Sequence, residues 1–224
     1  MTAITELIDL SIPVSEATPV APGVPAPRIG ALWDRETLAG WSGVSWEMPQ
    51  VTLAGATGTH LAAPLAYHAD GADVPGVELD RLFEAPVVLV DAVGAPPDPA
   101  ALDRLGPLKD RAVLIRFGHD AHRGDPARYF GTRHGLSAEA AEFLAAAGPA
   151  LVGTDAYSLE AVEQGPGADP GPSAASLLTA AGIPLVLSMR GLDAVPAGAL
   201  LQVLPAPVAG LGAIPVRPLA IVRS

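Results

Sequence analysis

The chain has 224 residues, half of them apolar, so it can bury a substantial core. Thirteen Lys and Arg against 24 Asp and Glu leave a net charge of −11, which excludes nucleic acid and anionic membrane surfaces as partners, because both are gripped through basic patches. The lack of cysteine excludes disulfides, a thiolate metal site and a Cys nucleophile, and fits a cytoplasmic protein.

Met1 to Glu6 carries no basic run ahead of an apolar core, so no secretory leader is expected. Ile8 to Val14 alternates polar and apolar residues up to Pro13 and predicts a first strand. Pro19 to Pro27 predicts a stiff, extended segment, either a surface connector or an arm beside a binding site. Trp33, Trp41 and Trp46 are concentrated in a chain that is only 4% aromatic. They are expected to fill the core or, for Trp33 and Trp46, to wall an apolar ligand site.

Glu47 to Leu53 reads as a strand, Asp70-Gly71-Ala72-Asp73 as a turn, and Leu79 to Phe83 as a short helical turn. Val87–Asp91, Ala112–Phe117 and Ala150–Asp155 are near-continuous apolar runs that predict buried strands. Ser137 is placed to cap a helix whose Ala140, Phe143, Leu144 and Ala147 share one face, stopped by Gly148 and Pro149. Gly165 to Pro172 predicts a loop, and Ser173 a second helix cap for residues up to Ala181. Pro184–Ser188, Leu200–Leu204 and Leu219–Val222 complete the strands. The uncharged run Ala194–Val216 holds Pro196, Pro205, Pro207 and Pro215, too many breaks for a membrane-spanning helix. The order predicts one domain of mixed α/β class with a largely parallel centre.

Gly58-Thr59-His60, followed by Pro64, resembles the His-x-Gly-Thr-His-x-Asp-x-Pro-x-His pattern of the putative cyclase family, which includes bacterial kynurenine formamidases. Four further segments are similar to that family's signatures in the same order: Asp9-Leu10-Ser11-Ile12-Pro13, Val152 to Glu160, Leu177-Leu178 with Gly182-Ile183, and Gly212, Pro215 and Arg217. The resemblance implies a β/β/α swivelling-domain fold, with a central mixed sheet and flanking helices, in a homodimer or homotetramer. It also implies where a divalent metal would be held in other members. Here those positions are Ala56, Ala62, Ala66, Ala174 and Leu187, none with a donor atom. A catalytic zinc needs about three protein ligands, so no metal and no other cofactor is expected.

His60, freed from ligation, is a candidate general acid and base near neutral pH, with Thr59 beside it as a substrate contact. If Ala66 to His68 is extended, His68 shares the face of the family's catalytic position, ~6–7 Å further along, and reaches the same pocket. Asp155 and Ser158 follow a strand, where α/β proteins collect ligands, and can orient a histidine or a substrate hydroxyl. His119 occupies a place where the family has an aromatic residue near the pocket. With Asp120, His122 and Asp125 it forms either a relocated metal site or a solvated loop. Signatures of serine hydrolases, P-loops and dinucleotide folds are absent. The expected function is metal-independent cyclisation, dehydration or isomerisation of a small, fairly apolar metabolite in specialised metabolism. The alternatives are a metal-dependent amide or lactone hydrolase with relocated ligands, and a non-catalytic binding or scaffold protein.

Overall fold

The structure is a computed structural model that describes residues 3–131, 135–160 and 173–224. The first strand, β1 (Ile4–Asp9), is followed by β2 (Arg28–Trp33), helix α1 (Arg35–Ser42), β3 (Met48–Thr52) and β4 (His60–Ala62). Then come β5 (Ala85–Asp91), α2 (Pro99–Asp103), β6 (Ala112–Arg116), α3 (Pro126–Gly131), α4 (Ala138–Ala147) and β7 (Leu151–Thr154). The chain ends with α5 (Ala174–Ala180), β8 (Leu185–Leu187), β9 (Leu200–Gln202), β10 (Ala213–Pro215) and β11 (Leu219–Arg223).

Among the described residues, nine strands form one mixed sheet in the order β1-β11-β9-β5-β6-β7-β8-β4-β10. Its centre, β5-β6-β7-β8, is parallel, with Val88 opposite Val113 and Val113 opposite Val152. The flanking strands run antiparallel. Side chains alternate along these strands and divide the core in two. Val113, Ile115, Val152, Leu185 and Leu187 pack under Ala140, Ala141 and Leu144 of α4 and Ala174 and Leu178 of α5. Ala112, Leu114, Leu151 and Val186 face the other way, onto Leu10, Leu82, Met189 and Leu201. Each fully buried Leu contributes about 1.5–3 kcal/mol by leaving water. Gly153 on β7 leaves the room this packing needs: a Cβ there would come within 2.6 Å of Leu114 and 2.8 Å of Met189.

Local chemistry sets the helix ends. Ser137 accepts from the Ala140 amide, and Gly148 closes α4 in the left-handed conformation with its N–H on the Leu144 carbonyl. Ser173 caps α5, and the Glu160 carboxylate takes the amides of Ala174 and Ala175 at 3.0 and 3.2 Å.

The first strand differs from its expected place. Residues 10–14 alternate like a strand, but pairing with β11 stops at Asp9 opposite Leu219. One further bond joins the Leu10 amide to the Pro218 carbonyl; the Ser11 amide then turns back to the Asp9 carboxylate and the Ile12 amide goes to the Thr59 hydroxyl. The expected loop at 165–172 lies outside the described residues. The tryptophans are not core residues: Trp33, Trp41 and Trp46 are 38%, 67% and 42% exposed. Trp33 sits on a separate two-stranded ribbon, β2-β3, with its ring edge-on to Trp41 of α1 at 5.3 Å. No described helix is long and apolar enough to cross a membrane.

Candidate functional site

His60 opens β4, paired to Leu187 of β8 on one side and Pro215 of β10 on the other. Two residues earlier, Gly58 has φ 63°, and Ile12 and Val14 pack where a side chain would stand. That turn aims the Gly58 carbonyl at Nδ1 of His60, 2.9 Å away. A carbonyl only accepts, so Nδ1 carries the proton and Nε2 holds the lone pair. Burial pushes the imidazole below its ordinary pKa, and the Gly58 bond partly offsets this. His60 is therefore a neutral base over the physiological range. The Thr59 hydroxyl donates to the Ser188 carbonyl at 2.6 Å and accepts from the Ile12 amide at 3.1 Å. It ties the N-terminal segment to β4 and to the end of β8.

Of the family's ligand positions, Leu187 lies opposite His60 on β8 and Ala62 lies two residues on along β4, neither with a donor atom. Ala62, Ala174 and Leu187 are buried in the apolar cluster that includes Phe117, Leu159 and Leu185. Ala56 and Ala66 are exposed. Among the described residues no three His, Asp or Glu side chains converge as a metal would require. The described residues do not form a site that fits a bound divalent metal. His119 and His122 share one turn of 3-10 helix, with ring centres 6.4 Å apart. Their acidic neighbours are engaged with backbone: Asp120 with the Gly191 amide and Asp125 with that of Arg128.

The extended path expected through Ala66 to His68 is replaced by a 3-10 turn over Pro64–Ala66. Pro64 starts it, and its carbonyl accepts from both the Tyr67 and His68 amides. The turn swings His68 against α5, where Nε2 meets the Ser176 carbonyl at 3.0 Å and the Thr179 hydroxyl at 3.2 Å. Its parity with the family position is lost. Ser158 makes a local turn, accepting from the Glu160 amide at 3.1 Å. Tyr67 lies beside Glu160 and Tyr157. Tyr67 is 41% exposed, yet desolvation of its phenol, then those two neighbours, push it up to about 12, so it remains a proton donor.

Asp155 is fully buried just past β7. One carboxylate oxygen accepts from the Phe117 amide at 2.7 Å; the other has no hydrogen-bond partner among the described residues. Burial raises its pKa, Asp120 adds to the rise, and the Phe117 and Gly118 amides and His119 oppose it. His119 is buried next to Phe117, their ring centres 6.4 Å apart. Asp155 and His119 thus meet at the ends of β6 and β7, joined there by residues that sequence reasoning missed. The Tyr129 hydroxyl donates to Ser188 Oγ at 2.9 Å, and Arg123 Nη2 to the Ser188 carbonyl at 2.9 Å. Ser188 holds φ 59°, a strained conformation for a residue with a side chain. Nothing in the Leu187-Ser188-Met189 string signals this. Arg123 was legible only as the residue after His119-Asp120-Ala121-His122.

A family model described as putative cyclase matches residues 8–161. Isatin hydrolase A from Labrenzia aggregata, bound to benzyl benzoate, is 24% identical with a TM-score of 0.81, covering 98% of this chain and 94% of its own. An isatin hydrolase bound to the product analogue thioisatinate is 22% identical, with a TM-score of 0.79 and coverage of 98% and 93%. A potential metal-dependent hydrolase with cyclase activity is also 22% identical, with a TM-score of 0.75 and 98% coverage of both chains. At these identities the likeness establishes a shared fold.

Proposed function

The chain belongs to the putative cyclase family, and we propose that it is an enzyme of that family that works without a metal, using His60 as general acid and base. The carrying observation is the pairing of a buried, backbone-anchored imidazole with apolar residues at the family's ligand positions. Nε2 takes a proton from a substrate O–H or C–H and returns it elsewhere on the same molecule; in a dehydration the returned proton goes to the substrate hydroxyl, whose C–O bond breaks so that it leaves as water. The Nδ1–H bond to Gly58 strengthens as the ring becomes cationic and holds its orientation. Cyclisation, dehydration and isomerisation all reduce to such a transfer once the substrate is folded correctly. Holding a flexible molecule in a reactive shape supplies ~7–11 kcal/mol of a barrier. The methyl and isobutyl groups of Ala62, Ala174 and Leu187 favour a small, fairly apolar substrate. Asp155, with its unpartnered oxygen, is the second group proposed for proton transfer, and Ser158 a hydroxyl donor to substrate.

The test is elemental analysis of protein purified without added metal, combined with turnover of cyclisable substrates with and without chelator. Substoichiometric metal and chelator-insensitive turnover, lost in His60→Ala, are expected. Stoichiometric zinc or manganese with chelator-sensitive activity overturns the reading in favour of a metal-dependent hydrolase. We further propose that the chain assembles as a homodimer or homotetramer through its tryptophan-bearing ribbon, whose β2 strand is exposed along its whole length.

A further inference from the structure

We propose that the cleft between the N-terminal segment and Arg123 binds the carboxylate of a small, largely apolar organic acid. The cleft has a volume of about 220 Å³. The N-terminal wall is mainly apolar, with Ile12, Pro13, Ala17 and Pro19 beside Ser15 and Thr18, and is stiffened by its two prolines. The opposite wall is Arg123 lying over the Tyr129 ring, 5.5 Å from guanidinium carbon to ring centre.

Arg123 is a cation in want of an anion. Its Nη2 donates to the Ser188 carbonyl and also meets the Met189 carbonyl, while Nε and Nη1 are buried without hydrogen-bond partners among the described residues. None of the ion pairs among the described residues includes it. Asp120 and Asp155, the carboxylates that act on the neighbouring Tyr129, form no ion pair with Arg123: Asp120 accepts from the Gly191 amide, and Asp155 accepts from the Phe117 amide through one oxygen and has its other unpartnered among the described residues. In a chain of net charge −11, a partly buried guanidinium left unpaired is costly, and a planar carboxylate is the acceptor its donor fork matches. Tyr129 is committed to Ser188, so the ring serves as a floor for the guanidinium and for an apolar ligand body. The volume lies below the usual range for drug-sized sites and suits a single aromatic ring or a short branched chain.

This assignment does not rest on proton transfer by His60, and the two fail separately. Benzoate and its neutral isostere benzamide are titrated into the intact protein by calorimetry, with ligand-observed NMR for weak binding. Benzoate is expected to saturate at millimolar concentration, about tenfold more tightly than benzamide. Arg123→Gln should abolish that preference, Arg123→Lys should restore part of it, and His60→Ala should leave it intact. Because Arg123 also anchors the Ser188 and Met189 carbonyls, Ala17→Trp provides a second variant that fills the cleft from the opposite wall; it should block both probes. Equal affinity for the two probes, a preference that survives Arg123→Gln in folded protein, benzoate binding unaffected by Ala17→Trp, or no saturable benzoate binding overturns the proposal.

Discussion

His60 combines two opposed influences whose balance is measurable. Burial favours the neutral ring, so between pH 6.5 and the lowered folded value the unfolded chain binds a proton that the folded chain refuses. Stability is then fully present above pH 6.5 and falls as the solution becomes more acidic, by up to about 1.4 kcal/mol per pH unit for one proton. Urea unfolding at pH 7.5 and 5.5 should show this loss, and His60→Gln should remove it. An identical loss in the variant would mean that the imidazole titrates as it does in water. Asp155 runs the other way: its folded pKa is raised, so its charge opposes folding above that value. Asp155→Asn keeps an acceptor for the Phe117 amide and removes the buried charge. It should stay within about 1 kcal/mol of the parent, while Asp155→Ala, which orphans that amide, should lose about 1–3 kcal/mol. Chemical denaturation of both variants separates the cases, and equal losses would refute the role given to the carboxylate oxygen.

At the scale of elements, α5 is held by a residue outside it. The Glu160 carboxylate covers the amides of Ala174 and Ala175, where the positive end of the helix favours an anion. His68 meets the Ser176 carbonyl and the Thr179 hydroxyl of the same helix. Glu160→Ala is expected to cost about 1 kcal/mol and to speed hydrogen exchange of the α5 amides before those of α4. Uniform exchange across both helices would argue against local capping. Much of this layout is legible in the sequence. Ser137 and Gly148 bracket α4, and the apolar runs at 87–91, 112–117 and 150–155 contain parallel strands. Strands β6 and β7 are buried on both faces, whereas β5 is only half-buried at Val87, Val88 and Leu89 and ends on an exposed Asp91, so the buried strand expected there holds only in part. Elements of three residues, such as β4 and β10, have too few positions for a period to register. The site is less legible still. The motif locates His60, but Arg123, Tyr129 and Ser188 are brought together by long-range packing around a strained serine that no local pattern marks. His68 was misplaced because Pro64, read only as a motif residue, starts a turn.

For the whole molecule, the decisive feature is the ribbon formed by β2 and β3. An isolated two-stranded ribbon is marginally stable in water, yet this one, with α1 and its connections, exposes Ile29, Leu32, Trp33, Trp41, Trp46 and Val51. Scattered apolar residues are ordinary on a surface, and it is their concentration here that supports the self-association proposed for the ribbon. A second copy of the chain offers the same apolar ribbon and permits a self-complementary, twofold contact. Sedimentation at micromolar concentration should therefore give a dimer or tetramer, with tryptophan emission shifted to the blue relative to a diluted sample. Trp41, at 67% exposure, is the best site for disruption because nothing in the monomer's core depends on it. Trp41→Arg should dissociate the assembly while leaving the thermal transition of the dissociated chain cooperative. A parent protein that sediments as a monomer at every accessible concentration, with fully water-exposed tryptophan emission, would mean that the ribbon does not serve self-association.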